Sequence, residues 1–245
     1  NTLKTTPREL ISDLKVEGVE SFPIKNYPDA IQLEMKKNVF LTTAFKDGLF
    51  EVQDASSQKI GELLDVKEGM RVVDACAGAG GKTLHLAALM KNKGQIIALD
   101  IYEWKLAELK RRAKRAGAHN IETRMIDDNK VIKRLHEKAD RLLIDSPCSG
   151  LGVLKRNPDS KWKIDQAFFF LIKKEQEKIL QDYSKILKKG GKMVYATCSI
   201  LPSENNEQVE IFLKNNEGFS LIKEEKVMPS EGFDGFYMAL IERKA

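Results

Sequence analysis

Arg71-Val72-Val73-Asp74-Ala75-Cys76-Ala77-Gly78-Ala79-Gly80-Gly81-Lys82-Thr83 passes from an apolar, β-branched run through a glycine cluster into an amphipathic segment. That is the pattern of a buried strand turning directly into a helix. From Glu68 onward the same alternation repeats. Helices are predicted over Lys82–Met90, Glu103–Gly117, Gln166–Leu187 and Glu204–Asn215. Strands are predicted over Gln95–Asp100, Ile121–Asp127, Arg141–Asp145 and Lys192–Thr197. Regular alternation of this kind places parallel strands under helices on both faces. The end of the chain differs: Phe219–Val227 and Phe236–Arg243 are β-rich runs joined by Pro229, Gly232 and Gly235, an expected antiparallel pair. The fold class is therefore α/β, a Rossmann-like, mostly parallel seven-stranded sheet.

Residues 1–52 break the rhythm and are expected to form a small α+β segment, with the main domain over residues 53–245. Asn26-Tyr27-Pro28-Asp29 reads as a turn, and Val39–Thr43 and Leu49–Val52 as short strands around Lys46-Asp47-Gly48. The chain opens on Asn1, as a piece of a longer protein would.

Composition sets the class without naming the task. With 42% hydrophobic and 31% charged residues, the chain fits an ordinary globular protein. No apolar run approaches the roughly 18 residues of a membrane span, and the polar N-terminus is no secretory signal. Three cysteines without disulfide-like spacing suit a reducing, cytoplasmic setting. His85, His119 and His136 stand apart from any ligand cluster, so no metal is expected. A net charge of +5 permits a nucleic-acid partner without requiring one. No feature signals self-association, and a monomer is expected.

The glycine cluster narrows the cofactor. A P-loop requires glycine where this chain has Cys76, and the Gly-x-Gly-x-x-Gly dinucleotide fingerprint requires it where Thr83 stands. What remains is an acid ending the first strand, a glycine turn, and a second acid, Asp100, ending the second strand. Such an acid accepts hydrogen bonds from ribose hydroxyls. Glycines let the backbone approach a ligand, and the helix start offers free N–H groups. The combination suits S-adenosyl-L-methionine, its amino-acid part on the glycine turn and its ribose at Asp100.

Two cysteines follow strand ends. Asp145-Ser146-Pro147-Cys148-Ser149-Gly150-Leu151-Gly152 comes after the fourth strand and Ala196-Thr197-Cys198-Ser199 after the fifth, so both thiols reach the sheet edge where doubly wound enzymes place reacting groups. A thiolate that adds to carbon 6 of cytosine makes carbon 5 nucleophilic, and a base must later remove the carbon 5 proton. Free cysteines are also common as small buried residues, and position alone does not choose between the two readings. Amino-group methylation would call for an Asp/Asn-Pro-Pro-aromatic motif where this chain has Asp-Ser-Pro-Cys.

Taken with Phe50–Gln58, the long run Asp145–Asp159 and Tyr195–Ser199 followed by Glu204-Asn205, these motifs resemble the NOL/NOP/Sun RNA 5-methylcytosine methyltransferases, especially the bacterial ribosomal RNA branch. The resemblance implies methyl transfer to carbon 5 of a cytosine in RNA, ribosomal more than transfer RNA. It implies that Cys198 is the nucleophile and that Cys148 promotes release. It also implies that Cys76, Ala77, Gly78, Ala79, Gly80, Gly81, Lys82, Asp100, Asp127 and Asp145 line the cofactor pocket, with Lys82 and Asp145 close to the target base. Ala79 stands where the family usually has proline, and Asp128 competes with Asp127 for the adenine. The N-terminal segment is similar to the tail of a linker or RNA-recognition-like module of that family. The bacterial enzymes' long N-terminal RNA-binding region is missing from this sequence.

Past Cys148, Lys155-Arg156-Asn157 and Lys161-Trp162 combine cations with an aromatic, as phosphate holding and base stacking require, although a solvated loop with Trp162 as packing anchor has the same composition. Lys110–Arg115 is more basic still and is predicted to be mostly a solvated helix face.

Overall fold

The computed structural model describes all 245 residues. The chain opens with α1 (Pro7–Val16), the hairpin β1 (Ser21–Ile24) and β2 (Tyr27–Leu33), and the short α2 (Thr43–Lys46). Helix α3 (Ala55–Leu64) leads into the main unit: β3 (Arg71–Asp74), α4 (Gly81–Leu89), β4 (Gln95–Asp100), α5 (Glu103–Ala116), β5 (Ile121–Met125) and α6 (Asn129–Arg134). Then come β6 (Ala139–Asp145), α7 (Ser160–Lys163), α8 (Gln166–Tyr183), β7 (Leu187–Thr197), α9 (Asn206–Asn215), β8 (Phe219–Val227) and β9 (Phe236–Arg243).

The seven strands of the main sheet run in the order β5-β4-β3-β6-β7-β9-β8. The first five pair in parallel, and β9 inserts antiparallel between β7 and β8. Alternate side chains supply two cores. Val72, Leu143, Val194 and Ala196 pack with α3, α4 and α5 on one face, while Val73, Leu142, Ile144 and Tyr195 pack with α8 and α9 on the other. Each fully buried aliphatic side chain contributes about 1.5–3 kcal/mol, which fixes the register of the central strands. Connections leave β3 in one direction and β6 in the other, so the crevice opens where the carboxyl ends of β3 and β6 lie side by side.

The predicted antiparallel pair has its expected bounds. The third strand stops at Met125, short of Asp127, because Asp128 turns the chain by capping α6 through the Lys130 N–H. Helix α8 gives way after Tyr183 to one 3-10 turn, Ser184–Ile186, and β7 starts five residues early at Leu187.

The N-terminal expectations fare less well. Val39–Thr43 is not a strand: Asn38 caps a 3-10 turn over Val39–Leu41, and Thr42 caps α2. These polar side chains satisfy backbone N–H groups locally, which removes the need for a ladder. Leu49–Val52 is likewise no strand, and the Asn26 turn is followed at once by β2. Helix α1, closed by a Thr6/Glu9 capping box, and α3, capped by Asp54, had no predicted counterpart. Leu10, Leu14, Val19, Val39 and Ala44 give residues 7–50 a small core of their own.

The loops after β6 and β7 lean on one another through Gly152, whose N–H donates to Cys198 O at 2.9 Å and whose carbonyl accepts from Gly235 N–H at 2.8 Å. A Cβ on Gly152 would overlap the Gly235 carbonyl oxygen and stand 2.8 Å from that of Cys198. Gly152→Ala is expected to destabilise the fold by about 1–3 kcal/mol, read as a lowered denaturant midpoint.

Candidate active site

The glycine turn joins β3 to α4. Gly78 and Gly80 hold positive φ angles of 55° and 88°, the left-handed region that favours glycine. A Cβ at Gly80 would meet the Leu109 side chain, whereas at Gly78 it would project into open space. Gly80 offers no side-chain cap, so the first N–H groups of α4 are left for a ligand. Arg112 steadies the turn from behind, donating from Nη1 to Ala79 O at 2.7 Å and pairing with Glu51 at 3.0 Å. Arg115 pairs with the same carboxylate at 2.5 Å. The expectation of a solvated helix face therefore holds for Lys110, Arg111 and Lys114 but not for Arg112 and Arg115, which α5 turns inward onto Glu51.

A cavity of about 340 Å³ opens over this turn. Of the predicted cofactor residues, Cys76, Ala77, Gly78, Ala79, Gly81, Lys82 and Asp145 line it. Gly80 is turned against Leu109 instead. Asp100 is also set back, its carboxylate accepting from the Gly78 N–H at 2.8 Å and the Tyr102 N–H at 2.9 Å, which uses two of its roughly four acceptor positions. Asp127 is exposed, two residues past the end of β5, and Asp128 is engaged in capping.

Asp74, Gln53, Asp54, Arg112 and Phe236 are among the further lining residues that were not predicted as site residues. Asp74 is 1% exposed and accepts from Thr83 Oγ1 at 2.7 Å, while its second carboxylate oxygen has no partner. Burial pushes its pKa up to about 7. An unpartnered buried acceptor beside uncapped N–H donors suits the ammonium and carboxylate of an amino acid, so these residues fit the methionine part of S-adenosyl-L-methionine. Asp74 enters the cofactor pattern only as the acid that ends the first strand, with no contact assigned to it; nothing local marks Arg112.

The same cavity is also lined by Lys82, Asp145 and Cys198. Lys82 Nζ lies 2.6 Å from Asp145 Oδ2, joining the start of α4 to the end of β6. Burial opposes the charge on Lys82, but the Asp145 carboxylate outweighs it and holds the ammonium pKa above its usual value. Cys148 and Cys198 come together, their sulfurs 3.3 Å apart. Cys198 lines the cavity with Lys82 and Asp145; Cys148 stands behind it. The pair ionises unequally. The hydrogen bond from Cys148 lowers the Cys198 pKa, opposed by burial and aided by Lys82, while the same bond and burial raise that of Cys148.

Both loops are tied to Glu204, which is fully buried. It accepts from Ser149 N–H at 2.7 Å and Gln176 Nε2 at 3.2 Å on one oxygen, and from the Ser149 and Ser199 hydroxyls on the other. Farther out, Lys155, Asn157, Lys161 and Trp162 are exposed, and Trp162, at 80%, is no packing anchor. Lys161 lies over its ring at 4.9 Å. Arg156 is partly engaged, pairing with the buried Asp234 at the cavity wall.

Residues 62–241 match the family model of the 16S rRNA methyltransferase RsmB/F. Ribosomal RNA small subunit methyltransferase B of Proteus mirabilis is 35% identical over 247 residues, which take in 100% of this chain and 58% of that protein. The probable enzyme of the same name from Bacillus subtilis is 34% identical over 263 residues, 100% of this chain and 59% of that one. The chain thus spans less than two thirds of the curated relatives it matches. Among solved structures, NSun6 from Pyrococcus horikoshii with SFG, an analogue of S-adenosylmethionine, has a TM-score of 0.89 at 21% identity, covering 100% of this chain and 89% of that one, a likeness of fold. With its α/β sheet, glycine turn and matched span, the chain belongs to the RsmB/F family of 16S ribosomal RNA methyltransferases.

Proposed function

We propose that the protein methylates carbon 5 of a cytosine in RNA, with small-subunit ribosomal RNA as the substrate class that the relatives' names favour. The observation that carries this reading is the paired thiols at 3.3 Å, one of them facing the cavity beside the Lys82–Asp145 ion pair. The glycine turn, Asp74 and Asp100, with Asp127 at the adenine, would hold S-adenosyl-L-methionine, which would supply an electrophilic methyl group.

The Cys198 thiolate adds to carbon 6 of the base, and the electrons of the 5,6 double bond move toward carbon 5 and the carbonyl-conjugated ring. The Lys82 cation, close to the nucleophile, stabilises the electron-rich ring and lends a proton toward ring nitrogen 3, while Asp145 holds the ammonium in place. Carbon 5 would then take the methyl group as that group's bond to the cofactor sulfur breaks, the sulfur keeping the electron pair as a neutral thioether. Cys148, once its own proton has passed to solvent, takes the carbon 5 proton; the electron pair left behind re-forms the 5,6 double bond, the carbon 6–sulfur bond breaks and the Cys198 thiolate leaves. Lys155, Arg156, Asn157, Lys161 and Trp162 form the approach for the RNA strand, cations to phosphates and the indole to a base. Residues 1–52 then act as a linker or RNA-recognition segment ahead of the catalytic unit.

Labelled S-adenosyl-L-methionine and bulk RNA test the reading directly. Cys198→Ala is expected to abolish methyl transfer, and Cys148→Ala to accumulate a covalent protein–RNA adduct visible as a gel shift. Near-normal turnover by Cys198→Ala overturns the nucleophile assignment. Asp100→Ala should weaken cofactor binding by about 10-fold or more in calorimetry, as expected for lost hydrogen bonds to a charged group.

The thiol ionisation predicts a pH dependence. Because the Cys198 pKa is lowered, the attacking thiolate is present below the ordinary thiol range. Single-turnover rate should therefore rise with pH to a plateau, with a midpoint below that of a free thiol. Lys82→Gln removes a cation that favours the thiolate and should move the midpoint upward.

A further inference from the structure

We infer that Glu204 is a positioning residue for both thiols, its buried carboxylate clamping the Cys148 and Cys198 loops into one unit; the part concerning catalysis rests on the reaction proposed above. Glu204 is 0% exposed and lies in the 3-10 turn after β7. No Lys or Arg pairs with it. Its two carboxyl oxygens are met by neutral donors only: Ser149 N–H, Ser149 Oγ, Ser199 Oγ and Gln176 Nε2. A carboxylate withdrawn from water is costly, and packed apolar residues would join two loops at less expense. The position therefore calls for something that an apolar contact does not provide.

What it provides is direction. Ser149 and Ser199 each follow a reactive cysteine, and their hydroxyl oxygens stand 3.2 Å apart. With both hydroxyls donating to Glu204, their lone pairs face the backbone. Ser149 Oγ accepts from Leu151 N–H at 3.4 Å, and Ser199 Oγ accepts from Leu201 N–H at 3.2 Å. One carboxylate thus orients both hydroxyls, each hydroxyl shapes the turn after its cysteine, and the two turns bring the sulfurs together. Gln176 fixes the third side, donating to Pro147 O at 2.8 Å immediately before Cys148. Tyr195 anchors Glu204 itself, its hydroxyl donating to the Glu204 carbonyl at 2.8 Å. Glu204 does not line the cavity, so it acts through the thiols and not on the substrate.

An amide cannot replace this function, because glutamine has a single acceptor oxygen and would leave donors unmet. The full chain carrying Glu204→Gln is to be compared with Ser149→Ala and Ser199→Ala, each of which removes one arm of the clamp. Two readouts separate positioning from fold maintenance. The first is the pH profile of Cys198 alkylation by iodoacetamide, followed by mass spectrometry without RNA. The second is single-turnover methylation together with the lifetime of the covalent adduct.

With melting and S-adenosyl-L-methionine binding still cooperative and intact, the alkylation midpoint of Glu204→Gln should rise by up to about one pH unit, as loss of a thiol hydrogen bond implies, the removed negative charge beside Cys148 offsetting part of the rise. Methyl transfer should fall about 10- to 100-fold, the scale of a misplaced reacting group. Each serine variant should move both readouts in the same direction by less. Should Glu204→Gln fail to fold, the two serine variants decide the matter by the same measurements. Folded variants with the wild-type alkylation midpoint overturn the clamp. A shifted midpoint with no RNA methylation by the wild-type protein leaves the clamp standing and removes only the proposed reaction.

Discussion

The 2.6 Å ion pair of Lys82 with Asp145 joins the two halves of the crevice, because Lys82 belongs to the helix that follows the glycine turn and Asp145 ends β6. Both side chains are largely withdrawn from water, so neither charge is well solvated without the other. Breaking such a pair typically costs about 3–5 kcal/mol through the charge left behind. The pair thus fixes how the cofactor turn sits against the thiol loops, and it sets the field in which Cys198 ionises. A lysine held well protonated by one carboxylate remains a cation next to the sulfur throughout the pH range in which the sulfur loses its proton.

The sheet was legible because its central strands are buried on both faces and their sequences are almost purely apolar and β-branched, as in Val72-Val73 and Ile96-Ile97-Ala98-Leu99. Turn residues likewise delimited the β8–β9 pair. The N-terminal segment was less legible, since its short elements depend on caps from Thr6, Asn38 and Thr42 and on packing among residues distant in sequence. A run such as Val39–Thr43 has strand composition, and only the local caps make it helical.

The site divides in the same way. Sheet topology predicts that residues after β3, β6 and β7 share an edge, so Asp145, Cys148 and Cys198 could be named together. Their inequality could not, because it arises from which sulfur faces the cavity and which donates. Arg112 and Arg115 were misread for a related reason: a helix face is solvated only if nothing lies over it, and Glu51 arrives from a segment whose structure the sequence did not reveal. Asp74 was visible as a strand-ending acid, yet its unpartnered oxygen exists only once Thr83 has taken the other.

The Arg112 guanidinium touches two bodies at once, the Ala79 carbonyl of the cofactor turn and Glu51 at the end of the N-terminal segment. Asn1 and Lys4 add to that junction by donating to Ala116 O and Arg115 O at the end of α5. A ligand that stiffens the turn at Ala79 therefore also tightens the grip on residues 1–51. Thermodynamic linkage makes the effect reciprocal: whatever free energy of cofactor binding is felt by the N-terminal segment is returned, in equal measure, as cofactor affinity whenever that segment is held in place.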